Sequence, residues 1–84
     1  MIVTRGINDR VAIDTQFAKH VWVSFARFER RDWGEMADDD ILANDWSMDN
    51  GERVLAAYGE GEDRIWIILE GDRANQTALF PSEY

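Results

Sequence analysis

One histidine and three serines are the side chains that could form a histidine-activated serine nucleophile. His20 and Ser24 are four residues apart, so both lie on the same side if the segment is a helix. A catalytic serine needs a base within hydrogen-bond reach, and it typically lies in a recognisable nucleophile turn. No serine lies in such a turn, and a histidine and a serine at this spacing are common on surface helices. We therefore predict a protein that is not an enzyme and has no catalytic residues.

Carboxylates are the second group of residues that could do chemistry, through a metal ion or through charge. Residues 32–48 carry six of them and no lysine or arginine. An EF-hand loop needs acids at alternating positions before its glycine, but Trp46 and Met48 occupy two of those positions ahead of Gly51. The aspartates at 38–40 would point in three directions around a helix. The sequence therefore predicts no metal site and, without a glycine-rich phosphate loop, no bound cofactor.

The net charge of −8 is concentrated in the middle of the chain. Residues 1–31 carry six basic and three acidic side chains, a net of +3, whereas residues 32–72 carry two basic and thirteen acidic ones, a net of −11. Negative potential repels DNA, RNA and anionic membranes and attracts cationic partners. We expect no direct contact with nucleic acid or membrane, and a partner that is itself a basic nucleic-acid-binding protein. The alternative is a solvated acidic surface that only aids solubility.

Four tryptophans have to be placed relative to this charge. Trp66, in the apolar run IWIIL, is predicted to be core, and Trp22 is predicted to be partly buried. Trp33 and Trp46 lie in the acidic segment, where each either covers an edge of the fold or anchors a partner by apolar and cation–π contact. The candidate partner-binding residues are Trp33, Trp46, Glu35, Asp38, Asp39, Asp40, Asp45, Asp49 and Glu52.

The compartment follows from what the sequence lacks. There is no cysteine, which excludes disulfides and cysteine-based metal or redox sites. No apolar run approaches the ~20 residues of a membrane span, and the N-terminal residues lack the basic-then-apolar layout of a secretory signal. We therefore expect a cytoplasmic protein.

Hydrophobic periodicity predicts a first helix over residues 14–31. Asp14 or Thr15 can cap its start, and Gly34 is the predicted stop. The helix has one apolar side, formed by Phe17, Val21, Phe25 and Phe28.

A second helix is predicted over residues 38–50, followed by Gly51. Asp38, Asp45 and Asp49 fall within about 40° of one another around it and are spaced by ~10 and ~6 Å along it. That spacing is comparable to a few steps of a nucleic-acid backbone at ~3.4 Å each, so the row could imitate phosphates. Apolar pairs flank the row on both sides, so either the helix is shorter or one apolar edge stays exposed, where it would suit a homodimer. The flanking residues are Ile41 and Met48 on one side, and Leu42 and Trp46 on the other.

The rest of the chain predicts β-structure. RVLAAY, RIWIIL and QTALF are short apolar or β-branched runs separated by turn residues, which is typical of an antiparallel meander. MIVT is predicted to be an edge strand or an extended arm, and RGIND a turn. We predict a single domain, residues 1–84, with a two-layer α+β fold in the order β-α-α-β-β-β. The three-stranded antiparallel meander packs against the helices.

Five segments carry a resemblance to a known family: VTRGIND, DWG, NGERVLAAY, IWIILEGDR and LFPSEY. Over nearly its whole length the chain resembles a family of very small proteins usually labelled plasmid-related, found on plasmids, integrative elements and phages. Such elements carry small, acidic, cysteine-free inhibitors of host defence, including anti-CRISPR and anti-restriction proteins. The resemblance implies this genomic company, and it implies no catalytic residue.

Charge and resemblance favour the same function class. The leading hypothesis is a non-enzymatic inhibitor from a mobile genetic element, such as an anti-CRISPR or anti-restriction protein, that binds the basic, nucleic-acid-handling surface of a host defence protein. Whether it does so by imitating DNA is left open by the sequence. The alternative is an accessory or regulatory protein of the mobile element that acts through protein–protein contacts or homodimerisation.

Overall fold

The computed structural model describes all 84 residues, and it forms three helices packed on one face of a four-stranded sheet. The helices are α1 (Arg5–Ile13), α2 (Thr15–Glu29) and α3 (Asp38–Asn50), and the strands are β1 (Ile2–Val3), β2 (Val54–Tyr58), β3 (Ile65–Leu69) and β4 (Gln76–Leu79). Short 3₁₀ turns cover Gly61–Asp63 and Pro81–Glu83. The predicted α+β class is confirmed.

The predicted sheet was incomplete. β2, β3 and β4 form the antiparallel meander, with β3 inside it, but β1 adds a fourth strand parallel to β4 and makes the sheet mixed, in the order β1-β4-β3-β2. The pairing continues into Thr4, whose N–H donates to the carbonyl of Ala78 at 3.0 Å. The run MIVT is thus an edge strand. Its neighbour is the last strand of the chain, a long-range pairing that local patterns do not reveal.

The segment RGIND is helical, not a turn, and it begins α1. The Thr4 side chain caps the helix by accepting from the N–H of Ile7, which is fully buried. From the other end of the sequence, the carboxylate of Glu83 accepts from the Thr4 hydroxyl at 2.6 Å and from the N–H of Gly6 at 3.0 Å. A side chain at Gly6 would collide with this carboxylate. The prediction failed because a cap, a buried isoleucine and a distant acid override the local turn preference of glycine and asparagine.

The apolar side of α2 is buried as predicted, and Asp14 caps the helix by accepting from the N–H of Phe17 at 3.0 Å. This backbone hydrogen bond is the main cause of the lowered pKa of Asp14. The predicted stop at Gly34 was wrong. The helix ends at Glu29, and the reversal occurs at Arg31, which adopts a left-handed φ of 59°.

Gly34 instead lies against the free edge of β2, in a parallel bridge to Ala57. Its φ is +77°, and an added Cβ would approach the Ala57 carbonyl oxygen to 2.0 Å, so only glycine fits. The segment 33–35 exchanges hydrogen bonds with this strand. The Trp33 carbonyl accepts from the N–H of Ala57, and the Glu35 N–H donates to the carbonyl of Ala57. This covers part of an edge that would otherwise be open to other chains.

α3 has the predicted bounds and is fixed to the sheet at both its middle and its end. The Asn44 side chain donates to the carbonyl of Leu55 at 2.8 Å and accepts from its N–H at 3.5 Å, which covers the remaining edge groups of β2. At the C-terminal end, the Arg73 guanidinium donates to the carbonyls of Ser47 and Met48 at 2.8 and 3.1 Å. The Ser47 carbonyl also accepts from the backbone N–H groups of Gly51 and Glu52, whereas Met48 lies in the last turn, where carbonyls have no partner within the helix.

The core lies between the helices and one face of the sheet. Side chains along each strand point alternately toward this core and toward the opposite face. The opposite sheet face carries Trp66, which was predicted to be core. Its side chain is only half-buried, in edge-to-face contact with Tyr84 at 5.5 Å between ring centroids. The inward-facing strand residues are Val54, Ala56, Tyr58, Ile65, Ile67, Leu69 and Ala78.

Candidate interaction face on the third helix

The side of α3 that points away from the sheet combines exposed apolar and acidic residues. Asn44 marks the buried side, at 7 % exposure, and Leu42 and Trp46 lie on the opposite side, because they are rotated by about 160° from it at 100° per residue. Their side chains are 68 % and 60 % exposed. We define the acidic face as Asp38, Asp39, Leu42, Trp46 and Asp49.

Leu42 and Trp46 form an exposed apolar ridge, since residues four apart are neighbours on a helix. The sequence predicted either a shorter helix or an exposed apolar edge. The helix has its full predicted length, and the exposed edge is this pair, whereas Ile41 and Met48 pack against the core. A lone exposed leucine needs no explanation, but a leucine and a tryptophan side by side form a patch that a partner could cover.

The three aspartates of the first turn of α3 are exposed and form no ion pair. Ala37 precedes them and gives the helix no side-chain cap, so the carboxylates contribute to stability through the positive end of the helix dipole. Asp38 and Asp39 lie on the side of the ridge, whereas Asp40 is rotated about 160° away from Leu42. Asp40 therefore lies outside the acidic face.

Trp33 is buried at 2 % exposure, so its assignment as a partner anchor was wrong. Its ring contacts Phe28 edge-to-face at 5.1 Å between centroids, and its indole N–H donates to Asp45 Oδ1 at 2.9 Å. The burial has a clear cause, because the adjacent bridge between Gly34 and Ala57 fixes the backbone beside the core. Asp45 is half-buried and serves this tryptophan, so the pair belongs to the fold and not to the exposed surface.

Asp49 is compensated within the molecule but still accessible. Arg31 donates to Asp49 Oδ1 at 2.8 Å, and the two side chains are 45 % and 63 % exposed. The pair raises the pKa of Arg31 through this hydrogen bond. Because both groups remain largely in water, the ion pair is weak enough to exchange for another cation.

Glu35 and Glu52 flank α3 at either end, and both are exposed. Glu35 has Arg27 at 3.9 Å, which is at the outer limit of an ion pair, and the Glu52 carboxylate forms no ion pair, although the Arg73 guanidinium donates to the Glu52 backbone carbonyl at 2.8 Å. Of the nine predicted residues, the structure therefore brings Asp38, Asp39, Asp49 and Trp46 together on one face. The others are buried with Trp33, rotated away or placed at the ends.

Sequence patterns missed the groups that hold the acidic segment in place. Arg27 donates to both carboxylate oxygens of Asp32, at 2.8 and 3.2 Å, and this hydrogen bonding is the main cause of the lowered pKa of Asp32. The hydroxyl of the buried Tyr58 donates to the backbone carbonyl of Asp32 at 2.7 Å, and burial raises the pKa of Tyr58. Arg27 and Asp32 are five positions apart across the end of α2, and that spacing was the available signal.

A second exposed region lies on the outer side of α2, which also was not predicted. Trp22 is 68 % exposed, so the prediction of partial burial was wrong. Beside its ring, a cavity of about 210 Å³ is lined by Met1, Trp22, Phe25, Ala26 and Glu29, and an adjoining one of about 220 Å³ shares Met1, Trp22 and Phe25. Trp22 stays exposed because its neighbours Val21 and Phe25 already fill the core side of α2.

The residues first considered for chemistry are placed apart. The Ser24 hydroxyl donates to the backbone carbonyl of His20 at 2.7 Å, so it is not directed at the imidazole. The Nε2 atom of His20 lies 2.9 Å from the carbonyl oxygen of Asp63. Nowhere in the chain do three acidic or histidine side chains converge closely enough to hold a metal ion.

No family model, curated protein or solved structure matches the chain. The resemblance to plasmid-related proteins therefore stays a prediction, and the functional argument rests on the geometry of the exposed faces. None of the helices has the length and apolar character needed to cross a membrane.

Proposed function

We propose that this chain is a non-enzymatic, protein-binding inhibitor from a mobile genetic element, acting in the cytoplasm. Its acidic face docks on the basic, nucleic-acid-handling surface of a host defence protein, in the manner of an anti-CRISPR or anti-restriction protein. The observation that carries the proposal is the exposed ridge of Leu42 and Trp46, bordered by Asp38 and Asp39, which the fold leaves without a cationic partner.

The combination of charge and apolar surface is what a basic partner would recognise. Carboxylates steer a cationic partner toward the face, and the tryptophan adds apolar contact and a ring on which an arginine can stack. Asp38 and Asp39 are the carboxylates most available for this, since the fold holds Asp45 by Trp33 and Asp49 by Arg31.

The burial of Asp45 limits the part of the proposal in which the carboxylates imitate phosphates. The predicted row of Asp38, Asp45 and Asp49 loses its middle member, because the Asp45 carboxylate is half-buried under Trp33. What remains is a pair of acidic ends about 16 Å apart along α3, with an apolar ridge between them. Such a face imitates a nucleic acid less than it complements a basic surface with an apolar pocket.

The second candidate is an accessory protein of the mobile element that acts through self-association. It is favoured by one observation, the exposure of Trp22 on a helix that bears no acidic stripe. The two candidates are separable because only the first needs a foreign partner.

The test measures DNA cleavage by a panel of purified CRISPR effectors and restriction enzymes, with the protein added at increasing concentration. We expect inhibition of at least one enzyme, and we expect the double substitution Asp38→Asn/Asp39→Asn to weaken it at least tenfold, about 1.4 kcal/mol. Glu60→Gln/Glu62→Gln is the matched control, because it removes the same charge from exposed positions on a distant turn. Equal losses for both variants, or no loss for the first, would reject the site.

A pull-down from lysate that expresses such complexes selects the panel and gives an independent check. Trp46→Ala should fail to retain the bound protein, while Leu55→Ala, on the outer face of the sheet, should retain it. If no enzyme of the panel is inhibited and Trp46→Ala retains every protein that the native chain retains, the proposed function is wrong.

A further inference from the structure

The exposed side of α2 has the same layout as the acidic face, with the charges reversed. Lys19, Trp22, Ala26 and Arg30 are exposed, and they fall within about 80° of one another around the helix. Their spacing is three, four and four residues, with a basic side chain at each end and apolar side chains between. Neither Lys19 nor Arg30 forms an ion pair within the molecule. We call these four residues the basic face.

The acidic face repeats this spacing when α3 is followed backwards. Asp49, Trp46, Leu42 and Asp38 are also three, four and four residues apart, with an acid at each end and apolar side chains between. Each face covers eleven residue steps, about 16 Å of helix. Two helices that pack antiparallel would therefore match position by position.

We propose that the basic face of one copy binds the acidic face of a second copy, with α2 and α3 antiparallel. In this register Lys19 meets Asp49, Trp22 meets Trp46, Ala26 meets Leu42, and Arg30 meets Asp38 and its neighbour Asp39. At one end Arg30 pairs with Asp38 and Asp39, which form no ion pair within the molecule, and at the other end Lys19 takes the place of Arg31 on Asp49. Between the two ends lies an apolar centre that contains the two most exposed tryptophans. Charge complementarity and the matched spacing identify the occupant as this chain itself.

The groove beside α2 fits this occupant. Ala26 is the small residue of the basic face, and the cavity of about 210 Å³ opens beside it, lined by Met1, Trp22, Phe25 and Glu29. Leu42 of the second copy lies opposite this position, so its side chain would fill the cavity as a knob fills a hole. The Glu29 carboxylate lies at the rim on the side of Trp22, about 20° from it around the helix, and accepts a hydrogen bond from the Gln76 side chain at 2.6 Å.

One molecule cannot pair its own two faces. α2 packs over β3 and α3 packs over β2, and both faces point away from the core that the helices share. The contact is therefore head-to-tail: each copy offers a free acidic face at one side and a free basic face at the other. A contact between one pair of helices buries less surface area than a stable protein–protein interface does. We therefore expect weak association, with a dissociation constant on the order of 100 µM at moderate salt.

The association would act on the proposed function without depending on it. It covers Leu42, Trp46 and Asp38, so a cationic partner and a second copy compete for the same face. At high local concentration the chain would be self-inhibited, and dilution would expose the acidic face. The interface itself is defined by the two helices alone, and it can be tested with no other protein present.

The test uses Trp22→Glu, which destroys the basic face, and Trp46→Lys, which destroys the acidic face. Both positions are exposed, so both variants should keep the native circular dichroism spectrum and unfolding midpoint. By sedimentation velocity over a concentration series, we expect the native chain to form dimers and longer species and each variant to remain monomeric. Mixed one to one, the variants should form a dimer and nothing larger, because each retains the face that the other lacks.

Complementation of this kind separates the head-to-tail contact from a symmetric one, in which either variant would lose both sides. A native chain that stays monomeric at every concentration, variants that associate as the native chain does, or a mixture that stays monomeric would each overturn the proposal. Because no defence protein is present, these results are independent of the cleavage assay above.

The register is tested by reversing one charge on each face in the tryptophan variants, which offer one face each. Trp46→Lys/Lys19→Glu should associate with Trp22→Glu/Asp49→Lys, because the glutamate introduced at position 19 then meets the lysine introduced at position 49, and this association should weaken at least threefold when salt screens its ion pairs. Mixed with Trp22→Glu/Asp38→Lys it should stay monomeric, because like charges then meet at both ends. Association of the second mixture and not of the first would show that the antiparallel register is wrong.

Discussion

Two regions of the acidic segment, residues 32–35 and the outer side of α3, each carry a tryptophan among carboxylates, but only one of the two tryptophans is buried. In the segment 32–35, Trp33 is buried, its indole is held by Asp45, and Asp32 is held by Arg27. On the outer side of α3, Trp46 is exposed, and Asp38 and Asp39 have no basic neighbour. In the first region the polar groups form hydrogen bonds that position the chain, whereas in the second the carboxylates remain available to a partner. Composition does not distinguish these two regions, because they differ only in the partners that each carboxylate has in the fold.

The sharpest way to break this comparison is to truncate each tryptophan in turn. Trp33→Ala should lower the free energy of unfolding by about 3–5 kcal/mol, because it empties a core position and leaves Asp45 without its donor. Trp46→Ala should change it by less than about 0.5 kcal/mol, as surface substitutions usually do. Urea unfolding followed by circular dichroism measures both. Equal losses would mean that Trp46 also belongs to the core.

The two sides of α3 give the next largest contrast. Asn44→Ala removes the side chain that pairs with both backbone groups of Leu55, so we expect a loss of about 2–3 kcal/mol and a tendency to aggregate through the opened edge of β2. Leu42→Ala, on the outer side, is the matched control and should be nearly neutral. Thermal unfolding and light scattering report the two effects. A neutral Asn44→Ala would show that water replaces the amide.

The first turn of α3 tests whether its acids are needed by the fold. Ala37→Ser provides the missing N-cap and should stabilise the protein by about 1 kcal/mol. If the aspartates act mainly through the helix dipole, the cap should offset most of the stability lost in Asp38→Asn/Asp39→Asn. The cleavage assay should still show the weakened inhibition in that capped triple variant. Recovery of inhibition together with stability would mean that the acids only hold the helix.

The smallest expected effect concerns pH, since Asp32 is partly exposed. Its pKa is lowered below the ordinary value of 3.8, chiefly by the hydrogen bond from Arg27. The folded state then binds fewer protons than the unfolded state, so this contribution to stability is complete above pH 3.8 and is lost as pH falls through the folded pKa. Asp32→Asn should flatten the fall in stability below this pH. An unchanged pH profile would place the acid sensitivity elsewhere, for example at Asp14.

The sequence predicted the elements whose signals are local. The spacing of the four apolar residues of α2, the cap at Asp14 and the glycine that ends α3 each depend on near neighbours, and each was confirmed. α1 and β1 were beyond such reasoning, because Glu83 and the strand β4 that hold them lie at the other end of the chain.

The candidate site was predictable only in part, for the same reason. The exposed apolar edge of α3 followed from its wheel, and so did the acids beside it. Which tryptophan would be buried depended on the bridge between Gly34 and Ala57, a contact between distant residues. The exposure of Trp22 likewise depended on how the core filled around Val21 and Phe25. Periodicity assigns a residue to a side of a helix, and only packing decides whether that side is covered.

The central claim is that the outer side of α3 is where a cationic partner binds. The most direct measurement is an NMR titration of the chain with a synthetic arginine-rich peptide, following the four tryptophan indole N–H signals and the backbone amides. We predict that the Trp46 indole and the amides of Asp38, Asp39 and Leu42 shift together, and that the Trp33 indole does not. Shifts centred on the acidic turn Gly61–Asp63, or spread evenly over every exposed carboxylate, would contradict the account.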